Sequence, residues 1–155
     1  MRKINIVLYS PEIPQNTGNI SRTCAVTGAI LHIIRPIGFE ISDRTLKRAG
    51  LDYWDKLTVI YYDNYSDFLK KNEGALLFFF SARGKKSYAD VTYPDNAYFV
   101  FGCESVGLPR NLVEENLERC VRIPMISDVR CLNLSNSVAI AVYEFLRQGE
   151  FQGLC

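Results

Sequence analysis

INIVLYSPEIPQNTGNISRTCAVTG, Ile4 to Gly28, holds the reading that decides the fold. Its first part, Ile4 to Tyr9, is a short β-branched and aromatic run of strand length. A loop with two prolines follows, then a segment from Asn16 to Thr27 with helix-forming character, stopped by Gly28. The same alternation recurs along the chain. Further strand-like runs lie at Ile30 to Ile34, Leu57 to Tyr62, Ala75 to Phe80, Tyr98 to Phe101 and Val121 to Ile123, giving an expected six strands. Helices are expected at Asp43 to Ala49, Ser66 to Asn72, Pro109 to Leu117 and Asn136 to Gln148, the last opened by Ser135 and closed by Gly149. Continuous apolar strands separated by helices specify an α/β fold: a mostly parallel six-stranded sheet with helices on both faces. Residues 1–155 are expected to form a single domain, since no repeat, low-complexity stretch or long linker divides them.

Composition supports that reading and excludes others. The 155 residues are 48% hydrophobic and 23% charged, with 18 Lys+Arg against 17 Asp+Glu, the profile of a globular domain rather than a disordered or fibrous chain. A domain of this size buries about 70% of its unfolded surface, enough for a core without disulfide or metal. The longest apolar block, Ala75 to Phe80, is far shorter than the roughly 20 residues of a membrane span. The opening MRKINIVLYSPE runs directly into a strand with no small-residue cleavage site, so it is expected to belong to the fold and not to an export signal. Cys24, Cys103, Cys120, Cys131 and Cys155 are scattered, odd in number and never spaced as CxxC, which points to a reducing, cytoplasmic setting and to no zinc site. His32 is the single histidine. Within Ile30 to Ile34 it reads as a half-buried strand residue, and a Ser-His or Cys-His catalytic pair would have to use it.

Open parallel sheets bind ligands beyond the carboxyl ends of their strands, so the loops that follow the strands carry the functional reading. Three are unusual: SPEIPQNTGNISR (Ser10 to Arg22), GCESVGLP (Gly102 to Pro109) and PMISDVRCLNLSNS (Pro124 to Ser137). No GxGxxG follows a strand, Gly84-Lys85-Lys86-Ser87 lacks the upstream glycine of a P-loop, and HExxH and EF-hand patterns are absent. In the first loop Asn16 reads either as a helix cap or as a site residue, and Arg22, six residues on, either as a surface charge or as a site residue facing the same loop mouth. In the second, Gly102 and Gly107 bracket Glu104, either to let the backbone approach a flat ligand or to form a tight strand-to-helix turn with Glu104 facing solvent. In the third, Asn133 and Ser135 compete as caps for a helix that needs only one.

In that order, NTGNISR, FGCESVGLP and IPMISDVRCLNLSNSVAIAVYE resemble the three motifs of the SPOUT (SpoU, α/β-knot) superfamily of RNA methyltransferases. Nearest within it is the small group that 2'-O-methylates the wobble nucleotide, cytidine or uridine 34, of tRNA. The similarity spans the chain, including Ile34 to Trp54, with no additional RNA-binding domain expected on either side. It implies a C-terminal third threaded into a deep trefoil knot, an exception to the rule against knots. It also implies S-adenosylmethionine as methyl donor, S-adenosylhomocysteine as product and no metal. The cofactor is implied to lie at Phe80, Gly102, Ile123 and Cys131, mostly on main-chain atoms; many relatives carry serine at the place of Cys131. The implied RNA-side residues are Arg22, Asn16, Glu104, Asn133 and Ser135. The family assigns its arginine either a general-base or a stabilising part; because a guanidinium stays protonated, orientation and electrostatic stabilisation is the reading adopted.

The implied partners are the anticodon stem-loop of tRNA, leucine isoacceptors among them, and a second copy of the chain joined through the knot; no membrane is implied. Basic clusters Arg44 to Arg48 and Arg83 to Lys86 read as an electrostatic footprint for RNA or as solvated faces, and Tyr53 and Trp54 as stacking platforms or core. Two alternatives stand beside the wobble methyltransferase: 2'-O-methylation of another RNA, and a knotted RNA-binding module without turnover.

Overall fold

The computed structural model describes residues 2–39, 57–128 and 131–155. The expected helix Asp43 to Ala49, the cluster Arg44 to Arg48, and Tyr53 and Trp54 lie outside them. Strands β1 (Ile4–Tyr9), β2 (Ile30–Ile34), β3 (Val59–Tyr62), β4 (Leu77–Phe80), β5 (Lys86–Ser87), β6 (Ala97–Phe101) and β7 (Cys120–Arg122) form one sheet. Its order is β3-β2-β1-β6-β4-β7-β5, and every neighbouring pair is parallel. The described helices are α1 (Pro14–Thr27), α2 (Tyr65–Lys71), α3 (Arg110–Glu115) and α4 (Leu134–Gln148).

Period-two alternation along β1 divides the core. Ile4, Ile6 and Leu8 join Ile20 and Cys24 of α1 and Val138, Val142 and Phe145 of α4 in one cluster. Val7 joins Phe68 of α2 and Leu112 and Val113 of α3 in the other. Both sheet faces are therefore covered, as continuous apolar parallel strands require. Burial drives the thiol of Cys24 in this core up to about 12, so it packs as an apolar group.

The sheet has seven strands, one more than the sequence reading. The addition is β5, two residues that begin at the last lysine of the RGKK segment, too short to leave a periodic signature. Its place is set by Gly84, where a Cβ would lie 2.5 Å from the backbone carbon of Val121, so the chain passes directly against β7. The described helices also differ in their bounds: α1 starts at Pro14 rather than Asn16, and α2 spans Tyr65–Lys71 rather than Ser66 to Asn72. Helix α3 begins after Pro109, ends at Glu115 and is followed by a 3-10 turn at Leu117–Arg119. Helix α4 is capped by Asn133, whose side chain accepts from Ser135 N, and Ser135 stands inside the helix.

His32 is buried rather than half-buried and is tied on both sides. Asn5 Oδ1 can only accept, so Nε2 carries the proton (3.1 Å), leaving Nδ1 to accept from the Tyr62 hydroxyl (2.8 Å). That hydroxyl accepts in turn from Asn72 Nδ2 at 3.1 Å. Burial lowers the imidazole from 6.5 to about 4. Below pH 6.5 the unfolded chain binds a proton that the folded chain refuses, so stability falls as pH drops from 6.5 towards 4. The gap corresponds to about 3 kcal/mol. Urea unfolding at pH 7 and pH 4.5 is expected to show a loss of this order that His32→Gln largely removes; an equal pH dependence in both proteins contradicts the assignment.

Candidate functional site

Strand order reverses at β1 and β6: the chain proceeds from β1 outward to β2 and β3 on one side, while β6, β4, β7 and β5 fill the other. The loops that follow β4, β6 and β7, with Ile13 and Asn16 beside them, surround a crevice beyond the carboxyl ends of the strands, the usual ligand position in open α/β sheets. Here the crevice is a cleft of about 890 Å³, within the range of small-molecule sites. All four residues expected to hold a cofactor, Phe80, Gly102, Ile123 and Cys131, line it. Its floor is apolar, with the rings of Phe80 and Phe101 stacked at 4.7 Å between centroids.

One wall is backbone. After β6 the chain forms a tight loop closed by Gly107 N donating to Cys103 O at 2.9 Å. Gly107 adopts φ +73°, the left-handed region that glycine occupies without steric cost. A Cβ on Gly102 would lie 2.0 Å from the carbonyl carbon of Gly107 and 2.1 Å from Leu108 N. Only glycine fits there, and the loop from Gly102 to Leu108 that it closes lines the cleft.

The polar residues join the three loops in one chain of hydrogen bonds. The Ser135 hydroxyl donates to Asn133 Oδ1 (2.6 Å), Asn133 Nδ2 donates to Asn16 Oδ1 (2.9 Å), and Asn16 Nδ2 donates to Glu104 Oε1 (3.0 Å). Glu104 also accepts from the backbone N–H groups of Glu12 (2.8 Å) and Ile13 (3.1 Å). This carboxylate sits at the positive end of α1, whose N-cap Ile13 offers no side-chain cap. Asn16 is therefore not the cap of α1. The helix starts two residues earlier, at Pro14, and Asn16 is a buried link between Glu104 and Asn133. Glu104 spans two loops instead of facing solvent.

Asn16, Glu104 and Asn133 line the cleft, whereas Ser135 is buried behind Asn133. Arg22 is exposed on α1 and is not among the cleft-lining residues. Six residues at about 100° each place it roughly a third of a turn around the helix from Asn16 and about 9 Å farther along the axis. The two side chains therefore do not share a face, contrary to the sequence expectation. Arg83 and Ser137 line the cleft without having been singled out as site residues, and Glu12 and Ser105 join its loops. The basic character of Arg83 and the proline-flanked position of Glu12 are their only sequence signals. Among the described residues no group of three or more His, Cys, Asp or Glu could hold a metal, and no helix is long and apolar enough to cross a membrane.

A parallel sheet covered on both faces, with a cleft of small-molecule size beyond the carboxyl ends of its strands, defines an α/β protein whose binding site is built from strand-end loops. The chain belongs to the SpoU rRNA Methylase family, which it matches over residues 3–143. It is 53% identical over 153 residues to a protein of Listeria monocytogenes named as a candidate tRNA (cytidine(34)-2'-O)-methyltransferase, covering 97% of this chain and 90% of that protein. With the tRNA (cytidine(34)-2'-O)-methyltransferase of Escherichia coli K12 it shares 46% over 151 residues, 97% of this chain and 96% of the relative. A solved structure described under the 2-OH methylation of C/U34 on tRNA superposes with a TM-score of 0.88 at 45% identity, covering 97% and 99% of the two chains.

Proposed function

We propose that this chain transfers a methyl group from S-adenosylmethionine to the 2'-hydroxyl of the wobble nucleotide, cytidine or uridine 34, of tRNA. The observation that carries the reading is the meeting of Phe80, Gly102, Ile123 and Cys131 in one cleft beside the Ser135–Asn133–Asn16–Glu104 chain. An apolar floor at Phe80 and Phe101 beside the Gly102–Leu108 loop fits an adenosine, and those four residues would hold it. When bound, S-adenosylmethionine supplies an electrophilic methyl group on a sulfonium.

The protein's own contribution is then placement. Alignment of two reactants can remove up to about 7 to 11 kcal/mol of barrier, and the hydrogen-bonded loops serve it by fixing α1 against the loop after β6. Asn16, Glu104, Asn133 and Ser135 act through that network, holding the acceptor side in register. Arg22 steadies the ribose hydroxyl or its adjoining phosphate as a permanent cation.

Because Arg22 lies off the cleft of its own chain, we place it in an RNA site shared by two subunits. Val26 on α1 and Tyr143 on α4, about half exposed on two helices that pack together, support a homodimer face there. A trefoil knot of the C-terminal third, joining the subunits, is part of the same reading. It is supported by the close crossing of Gly84 over β7 and by the return of α4 to the cleft. The chain then works as one domain, 1–155, in the cytoplasm, where its anticodon stem-loop substrate resides. Arg83, in the cleft lining, with Lys85 and Lys86 after it in the chain, supplies part of the phosphate attraction.

The test is methyl transfer from labelled S-adenosylmethionine, comparing purified tRNA leucine isoacceptors with ribosomal RNA and mapping the labelled nucleoside. A 2'-O-methyl group at position 34 is expected, whereas label in ribosomal RNA alone overturns the wobble assignment.

A further inference from the structure

Two carboxylates cross between the loops that flank the cleft. Glu104, on the loop after β6, accepts from the backbone of Glu12 and Ile13 on the loop after β1. Glu12 returns the contact: its Oε2 accepts from Ser105 N at 3.0 Å and its Oε1 from the Ser105 hydroxyl at 2.8 Å. Each carboxylate therefore grips the backbone of the other loop, and sliding one past the other breaks four charge-assisted bonds. The Glu12 loop is also held from behind. Gly38 N donates to Pro11 O at 2.9 Å, and a Cβ on Gly38 would lie 2.9 Å from Glu12 Cα.

We propose that Glu12 is a positioning residue for methyl transfer: with Glu104 it fixes the helix carrying Asn16 and Arg22 against the loop that walls the cofactor. This rests on the methyltransferase reading above. Glu12 is outside the cleft lining, so its effect passes through Ser105 and the loop. The Gly102–Gly107 turn is closed by its own Gly107–Cys103 bond and survives loss of Glu12. Removing the Glu12 carboxylate therefore loosens the approach of acceptor to donor while leaving the cofactor wall intact. A misplacement of about 1 Å is enough to cost on the order of a hundredfold in rate.

The experiment compares Glu12→Ala and Glu12→Gln with the parent in three measurements: kcat on tRNA, Kd for S-adenosylhomocysteine, and hydrogen exchange of the Ser105 amide. For Glu12→Ala, kcat is expected to fall by tenfold or more, with Kd within about threefold of the parent and Ser105 exchange accelerated. Glutamine keeps one acceptor and is expected to recover most of the rate. Unchanged kcat, or a Kd weakened by the same factor as kcat, overturns the proposal. A parent that binds S-adenosylhomocysteine but methylates no tRNA refutes the substrate reading instead, and Ser105 exchange unchanged in Glu12→Ala then refutes the clip.

Discussion

Gly102→Ala is expected to lose about a hundredfold or more in affinity for S-adenosylmethionine, and methyl transfer with it. The added methyl would stand 2.0 Å from the carbonyl carbon of Gly107 and 2.1 Å from Leu108 N. Both are backbone atoms, so no side chain can rotate aside and the turn itself has to open. Opening breaks the Gly107–Cys103 bond and displaces the main chain that walls the cleft. Overpacking of this kind costs about 1 to 3 kcal/mol even where neighbours relax, and here the strain falls on the atoms that shape the binding surface. Calorimetric titration of the folded variant measures the loss, and a Kd within threefold of the parent contradicts the placement of the cofactor.

Arg22→Ala is expected to produce the opposite pattern: methyl transfer reduced by about two to three orders of magnitude, with cofactor affinity nearly unchanged. That is the size of effect seen when one preorganised donor to a developing negative oxygen is removed. Arg22 is on the exposed side of α1 and off the cleft, so its loss leaves the Phe80–Phe101 floor and the Gly102 wall in place. Arg22→Lys is expected to recover little, because an ammonium cannot reproduce the planar, forked donor set of a guanidinium. Single-turnover transfer on tRNA, with Kd measured in parallel, separates the two steps. Unaltered turnover in Arg22→Ala removes the arginine from the chemistry.

The parts of the fold carried by burial were legible in the sequence. β1 and β2 have the bounds that their runs indicate, because strands buried on both faces need near-continuous hydrophobic residues, and their polar members, Asn5 and His32, are bonded to each other. β5 was not legible: two residues, Lys86 and Ser87, are held by the close approach of Gly84 to β7, a contact between segments far apart in sequence. The start of α1 was misread for a similar reason. A cap is normally sought among neighbouring residues, and Asn16 is of the right type. The carboxylate that serves this helix end belongs to Glu104, 91 residues beyond Ile13.

The site divides along the same line. Residue types and loop positions pointed to Gly102, Asn16 and Asn133, since polar and glycine-rich loops after parallel strands have few structural reasons to exist. Their pairing order did not follow from the sequence, because a hydrogen bond such as Asn133 to Asn16 joins residues 117 positions apart. Helical geometry alone separates Arg22 from Asn16, and a six-residue spacing was already enough to show it.

The most direct test of the central claim is a crystal structure of the protein with S-adenosylhomocysteine. The adenosine is expected in the cleft at the ends of β4, β6 and β7, against Phe80, Ile123 and the main chain of Gly102 and Cys131. Nucleoside density at any other place on the molecule contradicts that claim.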